Sequence, residues 1–238
     1  MSTRGTTTRL FLVRHGETDD NHAGVFQGQA GKGLNARGVS QAQKLALRIG
    51  DLEPHVDIHA LYTSDLERAV ATADLLSQVL GLAVIVDEGL REVFVGEWQG
   101  KTMKDVEALY PEEVAAWRAG LDVARGGGET YAELAARVGE ALSRIAHAHA
   151  GKNVVVVSHG AAIKAYVASL FGNVMNGMRA LGTLSNTGVT LLERDRDLGT
   201  RLVVWNDVSH LRDPVLTAAK VAVEPPPPPA RSSKKALS

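Results

Sequence analysis

Cysteine is absent from the 238-residue sequence, which removes disulfides, thiolate metal sites and cysteine nucleophiles together and fits a reducing compartment. Aromatic residues are sparse, with four Phe, three Trp and four Tyr. Net charge is nearly absent too. The 26 basic and 27 acidic residues leave −1, so no global field would hold the chain on nucleic acid or an anionic membrane, and any attraction for phosphate must be local. Long hydrophobic runs are missing: Leu10 to Val13 is too short for a signal-peptide core, and no stretch approaches the roughly 18 residues of a membrane span. The cytoplasm is the expected location, and neither nucleic acid nor membrane is an expected partner. With 45% of positions apolar and 22% charged, the composition describes a globular chain long enough to bury a core without metal or disulfide staples.

Five of the eight prolines form the run Pro225–Pro229, followed by Arg231, Ser232, Ser233, Lys234 and Lys235. Consecutive prolines favour an extended helix with no internal hydrogen bonds, and a basic, Ser-rich end buries too little apolar area to offset its ordering entropy. Residues 224–238 therefore read as a disordered tail, residues 1–8 as a flexible N-terminus and 9–223 as one folded domain. Whether the tail docks on anything is left open by the sequence, as is oligomeric state, for which a homodimer is one option.

Inside these limits, short β-branched runs alternate with helical periodicity. A strand at Arg9–Val13 precedes a helix with Val39, Ala42, Leu45, Ala46 and Ile49 on one face and Asn35 as its cap. A strand at Leu61–Thr63 leads to a helix with Leu66, Val70, Ala73, Leu76 and Leu80, then a strand at Ala83–Val86. Short helices are expected around Pro111, a flexible joint at Gly126–Gly128 and a long helix through Leu134, Val138, Leu142 and Ile145. Val154–Val157 is four consecutive valines, the mark of a strand buried on both faces, hence of a parallel sheet covered by helices on each side. A helix at Ala161–Phe171 and strands at Val189–Glu193 and Arg201–Val208 complete a three-layer αβα sandwich with a mostly parallel sheet.

Open α/β sheets bind ligands beyond the carboxyl ends of their strands, and the residues at those ends are polar in a coordinated way. Arg14, His15, Gly16, Glu17 and Thr18 follow the first strand; Ser64, Asp65 and Arg68 follow the second; Arg91 and Glu92 follow the third; Ser158, His159 and Gly160 follow the valines. Each could merely end a strand or cap a helix, as Ser64 or Asp65 could cap the helix near Leu66. Two histidines, each directly after an apolar strand, with arginines and a carboxylate on neighbouring strands, suit an anionic substrate. Gly16 and Gly160 would let the backbone approach a ligand without a Cβ in the way.

The fragments "LFLVRHGETDDN", "LYTSDLERAVATA", "LREVFVGEWQG" and "VVVVSHG", in this order, resemble the signatures of the histidine phosphatase superfamily, also called the phosphoglycerate mutase-like fold, and "LSNTGVTLLE" is similar to a late strand of that family. The resemblance implies a nucleophilic His15 flanked by Arg14, phosphate-holding roles for Arg68 and His159, and Glu92 as proton donor. Asn21 and Gln27 fall where phosphatase members add phosphate-binding amides. Among the acids near the third strand, Asp87, Glu88, Glu92 and Glu97 are not separated by their spacing; the family match at Leu90-Arg91-Glu92 selects Glu92. The chemistry is consistent with the residue types. A neutral imidazole is a nucleophile near pH 7, and two guanidiniums beside it disfavour imidazolium while matching phosphate oxygens.

The function implied is a metal-independent phosphatase, without cofactor, acting on a small phosphorylated metabolite of the sugar phosphate or phosphoglycerate type. A cofactor-dependent phosphoglycerate mutase is the alternative, and a non-enzymatic scaffold of the same fold a third. Mutases of this family carry a long insertion between the acid and the second histidine. Here that interval is 67 residues (159 − 92), which resembles the compact phosphatase branch. The chain departs from the family after Gln27, where Gly31, Lys32, Gly33, Leu34 and Asn35 replace an Asp-x-Pro-Leu-Thr-like stretch. Lys32 could favour a second anionic group or simply be exposed. His55 and His59 are four apart, but Pro54 just before them and the approaching strand argue against a metal-binding helix. Trp98, Trp117, Arg118 and Arg125 are candidates for a specificity pocket, with buried packing an equal account of the tryptophans. Asp207 and His210 carry no assigned role.

Overall fold

Two neighbouring strands buried on both faces define the molecule. In the computed structural model, which describes residues 7–51, 56–195 and 198–212, the chain runs β1 (Thr8–Arg14), α1 (Asp19–Ala23), α2 (Ala36–Gly50), β2 (Ile58–Thr63), α3 (Glu67–Leu80), β3 (Val84–Val86), α4 (Met103–Leu109), α5 (Pro111–Ala119), α6 (Tyr131–Ala148), β4 (Asn153–Ser158), α7 (Gly160–Ser169), α8 (Val174–Ala180), β5 (Val189–Asp195) and β6 (Gly199–Asp207). The proline-rich tail, residues 1–6 and His55 lie outside the described residues.

The six strands form one sheet in the order β3-β2-β4-β1-β5-β6. The first four are mutually parallel, and β5 and β6 add antiparallel. Val154 to Val157 are all fully buried. Successive side chains of a strand face opposite ways, so Val154 and Val156, with Leu10 and Leu12 of β1, join the core beneath α6 and α7. Val155 and Val157, with Phe11 and Val13, join the core beneath α2 and α3. The valine run thus sits at the centre of three layers because helices cover both of its faces.

Capping chemistry sets several helix starts. The side chain of Asn35 accepts the Gly38 N–H at the start of α2, Thr130 and Glu133 form a reciprocal capping box at α6, and Pro111 occupies the first turn of α5, where its missing N–H costs nothing. Other expectations are corrected. β1 begins at Thr8, which is buried, so the ordered strand reaches into the segment read as flexible. Neither Ser64 nor Asp65 is the residue that caps α3: Leu66 holds that position without a side-chain bond. Ser64 Oγ accepts only the Leu66 N–H, and Asp65 instead pairs with Arg91. Gly126–Gly128 is no free joint. A Cβ on Gly128 would lie 2.0 Å from the Phe94 carbonyl oxygen and one on Gly126 2.7 Å from the Glu97 nitrogen, so these glycines are demanded by close backbone packing. The short helix α8 was not anticipated. It nests on α7 through Gly177, whose added Cβ would meet the Ala168 carbonyl at 2.6 Å.

Candidate active site

Strand register brings the polar ends together. β4 lies between β1 and β2, with Arg14 opposite Ser158 and Thr63 opposite Val157. The next residues stay joined: His15 N donates to Ser158 O and Ser64 N to Val157 O, both at 3.0 Å. His15 and His159 consequently emerge side by side, their ring centroids 5.1 Å apart, both buried.

The His15 ring is held in one tautomer. Its Nδ1 lies 2.7 Å from the Gly16 carbonyl oxygen, which can only accept, so Nδ1 carries the proton. Arg68 donates its Nε–H to His15 Nε2 at 3.2 Å, which leaves the Nε2 lone pair facing a cation. Burial, then the charges of Arg68 and Arg14, hold the imidazole well below its ordinary pKa, against the smaller opposing effect of the Gly16 bond. Burial and the same cations, with His15 and Arg137, lower His159 likewise. Both rings are neutral near pH 7, and neither nitrogen of His159 has a hydrogen-bond partner among the described residues.

The two arginines are built in differently. Arg68, 2% exposed, donates to the Ala30 and Gly28 carbonyls at 2.7 Å as well as to His15; the loop after Gln27 therefore orients its guanidinium. Arg14 donates to the Leu184 carbonyl, and its Nε is buried without a partner among the described residues. Among the described residues no carboxylate forms an ion pair with either. Burial pulls both pKa values down while Glu92 pulls them up. Guanidinium stays charged regardless, and two desolvated cations without a paired anion form a cradle for one. Gly160 fits this crowding, since a Cβ there would stand 3.3 Å from Arg14 Nε. Gly16 is needed for a different reason than close approach of a ligand: its Cβ would sit 2.5 Å from the Gly38 carbonyl of α2.

Glu92 is the carboxylate that reaches the cradle. Its Oε1 accepts the N–H groups of Val93 and Ala162 at 2.9 Å and its Oε2 that of Ala161 at 3.1 Å. It thus sits on the N-terminus of α7, whose first unpaired N–H groups hold the carboxyl group in place. Its rivals are occupied elsewhere: Asp87 binds the Gly89 N–H and Arg144, Glu88 pairs with Arg91, and Glu97 is exposed. Arg91, engaged by Asp65 and Glu88, does not join the cluster. Asn21 meets Asn186, which also donates to the His15 carbonyl, and Gln27 precedes Gly28, whose carbonyl accepts from Arg68. Gln27 is buried, with Oε1 unpartnered among the described residues. Lys32 is exposed. Trp98 is fully buried in the core against Phe26 and Trp117, so packing accounts for the tryptophans; Arg125 lies buried over the Tyr131 ring with Nε and Nη2 unpartnered among the described residues, and Arg118 pairs with Glu107. His59 pairs with Asp57. The cleft of about 680 Å³ lined by Thr8, Ser143 and Arg194 lies at the opposite end of β1 from His15.

Residues 10–208 match the histidine phosphatase superfamily (branch 1). The chain belongs to that superfamily. It is a hydrolase of the phosphatase class. Among histidine phosphatase relatives, a metal-independent phosphoserine phosphatase of Arabidopsis thaliana is 36% identical, over 86% of this chain and 83% of its own. A glucosyl-3-phosphoglycerate phosphatase of Mycobacterium tuberculosis is 33% identical, over 87% of this chain and 98% of its own. The structure of a phosphoserine phosphatase from Entamoeba histolytica, in complex with 3-phosphoglyceric acid, superposes with a TM-score of 0.76 at 28% identity, covering 86% of this chain and 100% of that one. Among the described residues no helix is long and apolar enough to cross a membrane.

Several residues that hold this histidine phosphatase site together escaped the sequence reading. Thr72 Oγ1 accepts the Gly16 N–H and donates to the Arg68 carbonyl, tying the loop after β1 to α3. Arg137 donates to the carbonyls of Gly89, Arg91 and Glu92, fixing the loop that carries the acid. Thr187 donates its N–H to the Arg14 carbonyl, and its hydroxyl meets His210 Nε2 at 3.0 Å. None has a local signal beyond being polar on an otherwise apolar face; Thr72 and Arg137 read as ordinary helix residues.

Proposed function

We propose that the protein hydrolyses small phosphate monoesters in two steps through a phosphohistidine on His15, with Glu92 as proton donor. The observation that carries this is the His15 tautomer: Nδ1–H bound to a carbonyl, and an unprotonated Nε2 between two cations. In the first step the Nε2 lone pair attacks phosphorus, the phosphorus–oxygen bond to the leaving group breaks, and the leaving oxygen takes a proton from Glu92. In the second, water attacks the phosphohistidine, gives its proton to Glu92, and the phosphorus–nitrogen bond returns its electrons to Nε2. Arg14, Arg68 and His159, with the Asn21 and Gln27 amides, hold the phosphoryl oxygens, so positioning and charge neutralisation supply most of the catalysis.

Relatives named for phosphoserine and glucosyl-3-phosphoglycerate support a substrate of metabolite size that pairs its phosphate with a carboxylate. The short interval between Glu92 and His159 favours hydrolysis over the mutase alternative. A panel of sugar phosphates, phosphoglycerates, nucleotides and phosphoamino acids, assayed with chelator present, tests the reading. The expected result is phosphate release that survives chelation and is lost in His15→Ala. Full activity in that variant refutes the nucleophile, and transfer of the phosphoryl group to added phosphoglycerate in place of water would make the protein a mutase.

A further inference from the structure

The segment Ser185–Gly188 carries no titratable side chain, yet it touches the backbone of the nucleophile. Thr187 N lies 2.9 Å from the Arg14 carbonyl and 3.3 Å from that of His15. Thr187 is fully buried at a φ of 57°, a conformation that a β-branched residue seldom adopts. The half-buried Asn186 beside it donates from Nδ2 to the His15 carbonyl at 3.1 Å and to Asn21 Oδ1 at 3.2 Å.

Main-chain partners make the orientation of both amides unambiguous. A peptide carbonyl only accepts, so the Asn186 atom facing His15 O is the nitrogen. A peptide N–H only donates, so the Asn21 atom facing Thr18 N, at 3.3 Å, is Oδ1. Asn21 Oδ1 therefore receives two donors, Thr18 N and Asn186 Nδ2. Asn21 Nδ2 is turned to the other side of its carboxamide and makes no hydrogen bond among the described residues. Without Asn186, a single long bond would resist rotation about a terminal torsion that is intrinsically broad.

We propose that Asn186 is a positioning residue for phosphate binding: it locks the Asn21 carboxamide with its NH2 group free for a phosphoryl oxygen and pins the carbonyl of His15. The proposal rests on the reading of Asn21 as a phosphate ligand given above. Asn186 acts through its two partners and does not touch the substrate. An aspartate in its place would set acceptors against the His15 carbonyl and Asn21 Oδ1, so that Asn21 would turn over to donate to it and withdraw the phosphate donor.

Steady-state kinetics on an aryl phosphate and inhibition by inorganic phosphate, with a thermal midpoint for every protein, test this in wild type, Asn21→Ala, Asn186→Ala, Asn186→Asp and the double Ala variant. Asn186→Ala is expected to raise KM and the inhibition constant for phosphate about tenfold, the effect of one hydrogen bond to a charged group. Asn186→Asp should raise them further. In the Asn21→Ala background, Asn186→Ala should leave the phosphate constant where Asn21→Ala alone sets it. Multiplying effects in the double variant, or a wild-type phosphate constant in Asn186→Ala while Asn21→Ala raises it, overturns the proposal. A wild-type constant in Asn21→Ala removes the reading beneath it, and the proposal with it. Should Asn186→Ala fail to fold, Asn186→Ser carries the same comparison.

Discussion

Two neutral imidazoles enclosed together make stability depend on pH in a calculable way. His15 and His159 are both buried, and burial followed by the charges of Arg68, Arg14 and, for His159, Arg137 lowers both well below the ordinary imidazole value. In the unfolded chain each takes up a proton as pH falls through about 6.5. Below that point unfolding binds about two protons that the folded state refuses, so stability is intact above it and declines as pH falls. The slope is about 1.4 kcal/mol per pH unit for each imidazole, or about 2.7 for both, until the folded-state values are reached. His210, lowered chiefly by burial, adds a share of the same sign. Urea unfolding followed by tryptophan fluorescence between about pH 7.5 and about pH 5 at fixed ionic strength measures the slope. Replacing either ring with Asn, which does not titrate, should remove about half of the contribution from the pair. A flat profile below the imidazole value, or an unchanged slope in the His15→Asn, His159→Asn double variant, would refute burial of two uncharged rings. Protonation of Nε2 also abolishes the nucleophile, so the acid limb of kcat/KM should lie below the pKa of free imidazole.

Glu92→Gln should lower kcat by about 10²–10⁴ on alkyl phosphates, whose leaving oxygen needs a proton, and far less on an aryl phosphate with a good leaving group; equal losses on both would remove its role as proton donor. Gly38→Ala would put a Cβ 2.1 Å from the Glu17 carbonyl oxygen, and should cost about 1–3 kcal/mol of stability through forced backbone shifts, read as a lower thermal midpoint. An unchanged midpoint would show that α2 does not pack against the loop after β1 as closely as the structure has it.

Much of this site was legible because its information is local. The valine run, the helical spacing of Leu134, Val138, Leu142 and Ile145, and the cap Asn35 depend on neighbours within a few residues. So does the placement of His15 and His159 immediately after strands. Where expectations failed, the deciding contact was distant in sequence. Asp65 caps nothing because Arg91 reaches it across the sheet end. Gly126 and Gly128 are packed against Glu97 and Phe94, and Asn186 meets His15 from 171 residues away.

Residue types and their order along the chain determined that helices cover both faces of a mostly parallel sheet, and that two histidines and an arginine end up at strand ends, with a second arginine in the helix after β2, suited to an anion. Only the tertiary structure decided which carboxylate sits on the α7 N-terminus, which arginine turns away and which nitrogen of His15 is left unprotonated. The physical reason is that hydrophobic periodicity is read by any apolar neighbour, whereas a hydrogen bond selects its partner by distance and direction, and these exist only once remote segments are packed together.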